Sequence, residues 1–227
     1  MMNRQSRKKN SILNSSLGLL TQGVMMVCQF IMQTVFIKTL GAEYLGLNGL
    51  FTNVLQFLAL AELGIGGAIT FSLYNPIANN DTPLIRSIMK LYKKVYTYIG
   101  LFILGGGIII SFFLNAFISG STIQNMQMLF LLFLLNSAVS YFFAYRRTLL
   151  IADQRAYVDS MNQAIFKVIQ VMLQTVFLVA THNYVFYLII QIVVTVSSNF
   201  SIYAKTQKLY PFLKDSDVKL KKLTTRF

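Results

Sequence analysis

One acid and one lysine stand inside apolar stretches of this chain, and two arginines stand at the edge of another. Glu62 lies near the middle of Leu47 to Tyr74, LNGLFTNVLQFLALAELGIGGAITFSLY, which at ~1.5 Å per residue is long enough to cross a bilayer. A carboxylate at bilayer depth costs ~2.5 to 3.5 kcal/mol on insertion scales, so it faces a partner or a wet cavity and not lipid. Two roles fit such an acid: coupling to a proton or another ion, or a static pair with Lys167 or a donor from a neighbouring span. Lys167 sits a turn or two inside a later apolar stretch, where it either lines a cavity or snorkels to the headgroups. Arg146 and Arg147 are read first as positive anchors at a membrane edge.

Amides recur near these charges at helical spacing. Gln163, Lys167, Gln170 and Gln174 follow one another at offsets 0, 4, 7 and 11, and Ser15, Gly18, Gln22, Gln29 and Gln33 at 0, 3, 7, 14 and 18. Either stripe should face other helices. Around Glu62, the residues Asn48, Thr52, Ala59, Gly66 and Thr70 fall on one line of a helical wheel, with Gln56 and Glu62 beside it. Gln29, Gln56, Gln170, Gln174 and Glu62 are therefore the candidates for a transport path, the alternative being interhelical hydrogen bonding at ~0.6 kcal/mol apiece.

Other chemistries lack their residues. The sequence has no GxxxxGK[ST], no HExxH and no CxxC, so neither ATP hydrolysis nor a zinc site has its usual apparatus. His182 is the single histidine, and is read as a surface turn residue; Cys28 is the single cysteine, so no internal disulfide forms. Asp215 and Asp217 lie in a basic tail and read as solvated charges. No enzyme activity, catalytic residue, cofactor or metal is expected.

The elements that must position these side chains are membrane spans. Hydrophobic residues make up 55% of the 227 positions and charged residues 12%, about half the share of ordinary soluble domains, which places the chain in the membrane class. Six spans are expected, at about 16–37, 47–73, 95–118, 124–145, 161–181 and 184–204, making an all-α six-helix lobe over residues 11–204. A basic segment, 1–10, precedes it and a basic tail, 205–227, follows. Proline 76 is expected to end the second span. Leu84 to Tyr96, LIRSIMKLYKKVY, places Leu84, Ile88, Leu91 and Val95 on one stripe and reads as an interfacial amphipathic helix leading into the third span. The 51 uncharged residues between Lys94 and Arg146 would run ~75 Å as one helix, so they fold back, with SGST at Ser119 to Thr122 as the turn. Gly105, Gly106 and Gly107 suit close helix approach.

The net charge of +13 has a topological explanation. With six spans both termini share one side, and of the 20 Lys and Arg residues only Lys38 falls opposite. The positive-inside rule makes that side cytoplasmic and the protein a multi-pass protein of the cell membrane. Nucleic acid is not an expected partner.

Longer stretches carry a resemblance. GAEYLGLNGLFTNVLQFLALAELGIGGAITFSLYNPIA at Gly41 to Ala78, RSIMKLYKKVYTYIG at Arg86 to Gly100, RRTLLIADQRAYVDS at Arg146 to Ser160 and YPFLK at Tyr210 to Lys214 resemble the polysaccharide-biosynthesis flippases. These belong to the multidrug/oligosaccharidyl-lipid/polysaccharide exporter superfamily. The resemblance implies one lobe of a two-lobe alternating-access exporter that moves an undecaprenyl-diphosphate-linked oligosaccharide. It implies that Arg146, Arg147 or Lys167 meets the diphosphate or a lipid headgroup, and that Glu62 couples to an ion. Family members normally have about twelve to fourteen spans, so the partner expected for this six-span chain is a second six-helix lobe or a second copy of itself, with membrane lipids around both. The alternatives are a non-transporting fragment or scaffold, or a drug/cation exporter of the same superfamily.

Overall fold

The computed structural model describes residues 7–62, 64–117 and 123–214. The expected SGST turn, residues 1–6 and the tail beyond 214, with Asp215 and Asp217, lie outside them. The described residues are helical almost throughout: α1 (Arg7–Leu40), α2 (Ala42–Ala59), α3 (Ile65–Ala78), α4 (Thr82–Phe117), α5 (Met126–Ala152), α6 (Ala156–Thr181) and α7 (Tyr184–Leu209), with 3-10 turns at Leu60–Glu62 and Pro211–Lys214. Among the described residues five stretches are long and apolar enough to cross a membrane: Asn10–Leu40, Thr82–Leu114, Met126–Phe143, Ala156–Thr181 and Tyr184–Leu209.

Large apolar side chains point outward along these helices, among them Leu19, Phe30, Phe57, Phe71, Phe112 and Val176. Such an envelope suits lipid, and the chain is a helical membrane protein. Water would penalise each of these side chains by ~1.5 to 3 kcal/mol relative to burial.

The stretch expected as one helix over 47–73 is broken. The α2 helix ends at Ala59, a 3-10 turn carries Glu62, and α3 restarts at Ile65 after Gly64. Gly64 adopts φ 83°, a left-handed conformation that a side chain at this position would strain. The single polar line expected from Asn48 to Thr70 is split by this break, because the restart resets the helical phase. Thr52 and Thr70 turn their hydroxyls back onto the carbonyls of Asn48 and Gly66, each at 2.8 Å. Pro76 does not end α3, which continues to Ala78. The helix stops where Asn80 turns left-handed at φ 54° and Asp81 N–H donates to the Pro76 carbonyl at 2.9 Å. Asp81 then caps α4, its Oδ1 accepting from Leu84 N–H at 3.0 Å.

The α4 helix is continuous over 36 residues, or ~54 Å, so the amphipathic segment and the third span are one rod. Its buried stripe is Ile85, Ile88, Met89, Tyr92, Tyr96, Ile99 and Ile103, while Leu91 is exposed. The inward face thus lies one residue away from the expected stripe for part of its length.

In the bundle α4 lies along α5 and α1 along α6, and α7 packs on both α5 and α6. The α3 helix rests on α4 and α5. Glycines set the closest approaches of α4: a Cβ at Gly107 would stand 2.4 Å from Leu134 Cδ1, and one at Gly106 3.2 Å from Leu58. Gly105 faces open space. At one end Phe36, Tyr44, Tyr184 and Tyr187 form an aromatic cluster with centroids 5.1 to 5.6 Å apart. There Tyr184 donates to Asn48 Oδ1 at 3.0 Å.

Candidate functional site

Glu62 is held where the second apolar stretch breaks. The Tyr96 hydroxyl of α4 donates to its Oε1, and Tyr141 of α5 lies within reach of the same carboxylate. Tyr92 meets Tyr96 edge to face, with centroids 4.5 Å apart, and its hydroxyl lies 2.9 Å from Thr148 Oγ1. These hydroxyls approach α3 because Gly66 has no side chain; a Cβ there would stand 3.4 Å from the Tyr96 oxygen. The acid therefore has phenolic partners and does not pair with Lys167. A tyrosine at each of positions 96 and 141 was visible in the sequence, but only the fold brings both to one carboxylate.

A second polar site lies among α1, α5, α6 and α7. It is a cavity of about 370 Å³ lined by Arg147, Gln163, Lys167, Gln170, Ser198 and Asn199, with Met25, Ser140, Phe166, Val194 and Thr195 completing its wall. The α6 stripe accounts for three of these residues, one helical turn apart. Arg147 is fixed by its surroundings: Nη1 is ion-paired with Asp159, and Nη2 donates to Asn199 Oδ1 at 2.9 Å. Gln163 donates to the other Asp159 oxygen at 2.7 Å. Asn162, fully buried, donates to Ser198 Oγ at 2.8 Å and accepts from Lys205 at 3.5 Å.

The remaining candidates separate. Gln174 lies deeper in α6, 0% exposed, and donates to the Tyr187 carbonyl at 3.0 Å. Arg146 is absent from the cavity lining; its guanidinium lies 4.6 Å from the Tyr203 ring centroid, and its Nε donates to the Tyr145 hydroxyl at 3.1 Å. Gln29 and Gln56 are exposed on the outside of α1 and α2. Within this chain the α1 stripe meets no other helix through Ser15, Gln22, Gln29 and Gln33, which are all exposed. The helix packs within this chain through Cys28, Met32 and Phe36, a face chosen by close packing because lipid solvates apolar side chains as well as a helix neighbour does. His182 is exposed and closes α6 in a left-handed conformation.

Asp159, Ser198 and Asn199 were not singled out from the sequence. Thr195, Ser198 and Asn199 stand at 0, 3 and 4 within α7, and that spacing was the available signal. Among the described residues no group of three or more His, Cys, Asp or Glu side chains could hold a metal ion.

The connection between α5 and α6 is clamped from two sides. Asn14 of α1 donates to the Gln154 carbonyl at 3.0 Å and accepts from Tyr157 N–H at 2.8 Å. From the other side the Tyr210 hydroxyl donates to Asp153 at 2.7 Å, while Arg155 pairs with the same carboxylate at 3.0 Å. Burial first, and the Asp153 carboxylate second, push the Tyr210 phenol well above the usual tyrosine range.

Comparison of the chain with protein-family models, with curated proteins and with solved structures finds no match.

Proposed function

We propose that this chain is the N-terminal lobe of an alternating-access flippase for undecaprenyl-diphosphate-linked oligosaccharides, crossing the cell membrane six times with both termini cytoplasmic. The observation that carries the reading is the exposed row of amides on two neighbouring helices, Gln22, Gln29 and Gln33 on α1 with Asn53 and Gln56 on α2. An amide moved into hydrocarbon without a partner costs on the order of 4 to 8 kcal/mol, so five of them facing lipid are not sustainable. They suit a water-filled path shared with a second lobe or a second copy. The sequence resemblance names the cargo, and the break at Glu62 supplies the irregular backbone that spans adopt only beside protein or a wet cavity.

A static membrane scaffold is the second reading, because the same row of amides would also hydrogen-bond a fixed neighbouring helix. Complementation separates the two. The chain is expressed alone, and with a C-terminal lobe from the same superfamily, in cells lacking their repeat-unit flippase, and surface polysaccharide is assayed once insertion is confirmed. Rescue that requires the second lobe, and that Glu62→Gln abolishes at unchanged expression, is the expected result. Failure of both pairings despite stable insertion and association favours the scaffold. Unchanged rescue by Glu62→Gln removes that acid from the mechanism.

A further inference from the structure

The α2 helix is set between two glycines in backbone conformations that side chains resist. Gly41, which precedes it, has φ 88° and ψ 175°, and Gly64, where α3 restarts, has φ 83° and ψ −20°. A Cβ at either place would meet nothing within 4 Å. Crowding therefore does not demand glycine here. The reason is conformational, and each glycine is a point where the backbone turns with little steric resistance.

Between these points the buried face of α2 is apolar: Leu47, Phe51, Leu55 and Leu58. Phe51 rests on Phe130 and Phe133 of α5, with ring centroids 5.1 and 5.7 Å apart. In a bilayer such a face is held weakly, because lipid tails are as apolar as the neighbouring helix. Directional contacts must then fix where α2 stands, and a buried phenol supplies one near each end. Tyr184 of α7 donates to Asn48 Oδ1 at 3.0 Å. Tyr96 of α4 donates to Glu62 in the turn that follows α2, with Tyr141 within reach of the same acid. Asn48 and Glu62 stand ~20 Å apart along the helix direction. On the opposite face Gly46, Asn53 and Gln56 are exposed.

We propose that α2 is a gate that rocks about Gly41 and Gly64, held shut by the Tyr184–Asn48 bond at one end and the Tyr96–Glu62 bond at the other. Breaking one bond leaves the other as the pivot, so the two ends of α2 swing out separately. The frame it moves against is tied together: α4 approaches α5 closely at Gly107, and Asn14 and Tyr210 clamp the α5–α6 connection. For its role the gate rests on the alternating-access reading above, to which it adds the moving element and its two catches.

Distances between pairs of nitroxide labels test this in the full chain, reconstituted in phosphatidylcholine nanodiscs with Cys28→Ala as background. One pair, Gly46→Cys with Val176→Cys, reports the Asn48 end; the other, Gln56→Cys with Met161→Cys, reports the Glu62 end. All four positions are exposed. The catches are removed by Tyr184→Phe, and by Tyr96→Phe combined with Tyr141→Phe, changes that take away hydroxyls and keep the packed rings. Tyr184→Phe is expected to shift or broaden the first distance by ~2 Å or more, the scale of a loop or domain rearrangement, and to leave the second in place. The Tyr96 and Tyr141 changes are expected to do the reverse. Unchanged distances in both variants, or both distances changing together in either, overturn the gate. Neither cargo nor a second lobe enters this measurement. Separate end shifts beside failed complementation would remove the flippase reading and keep the gate, whereas rescue with unmoved distances would remove the gate alone.

Discussion

Tyr210 shows how one side chain ties the end of the bundle together. It is 1% exposed, it closes on Asp153, and its phenol is held un-ionised well above the usual range. The sign of the pH dependence follows from which state releases the proton. An unfolded tyrosine ionises near pH ~10, whereas the folded one does so only at a higher pH, so the contribution is complete below about 10 and is lost as the pH rises from there toward the folded value. Thermal unfolding of the wild type and Tyr210→Phe, compared from pH 8 upward, is expected to converge above about pH 10, because only the wild type has this phenol to ionise. Parallel curves throughout that range would show that the hydroxyl contributes nothing to the docked turn. At this scale the sequence was partly legible. Glu62, Lys167 and the α6 glutamines stand out by type and spacing, whereas Tyr96 and Asn199 matter through partners more than thirty residues away, and Asp159 through Arg147 on the preceding helix.

Among the elements, the pairing of α4 with α5 depends on where glycine falls. A methyl group at Gly107 would overlap Leu134, which is itself 1% exposed and has no room to retreat. Gly105, two residues earlier, meets nothing within 4 Å. Helix propensity favours alanine over glycine by ~1 kcal/mol at either position, but overpacking costs ~1 to 3 kcal/mol. Gly107→Ala is therefore expected to lower the unfolding temperature and Gly105→Ala to leave it unchanged or raise it. Addition of Leu134→Ala should recover part of the Gly107→Ala loss, and equal behaviour of the two glycine variants would exclude the close approach as the cause. The glycine triplet was readable as a contact device, but not which of its members makes contact, since neighbours in a helix point 100° apart.

At the scale of the molecule, the exposed amide row makes a prediction that needs no knowledge of cargo. The one native cysteine, Cys28, is buried, so introduced cysteines report alone. If the row faces water, Gln29→Cys and Gln56→Cys react with a membrane-impermeant thiol reagent at least ~10-fold faster than Phe30→Cys and Phe57→Cys, because only the hydrated thiol reaches its reactive thiolate. Phe30 and Phe57 are 73% and 71% exposed, which makes them the lipid-facing controls on the same helices. Uniformly slow labelling would place the row against another protein, and uniformly fast labelling would deny the lipid boundary itself. The membrane class, the long apolar helices and the α6 stripe were legible in the residues alone, because hydropathy and a 3.6-residue period are local properties of the chain. It took the packed bundle to show that the second apolar stretch breaks at Glu62, that the α1 stripe turns outward, and that Arg147 meets Asp159 and Asn199 while Arg146 stacks on Tyr203. Those outcomes depend on one left-handed glycine and on which apolar face packs most closely, and neither is a property of any single segment.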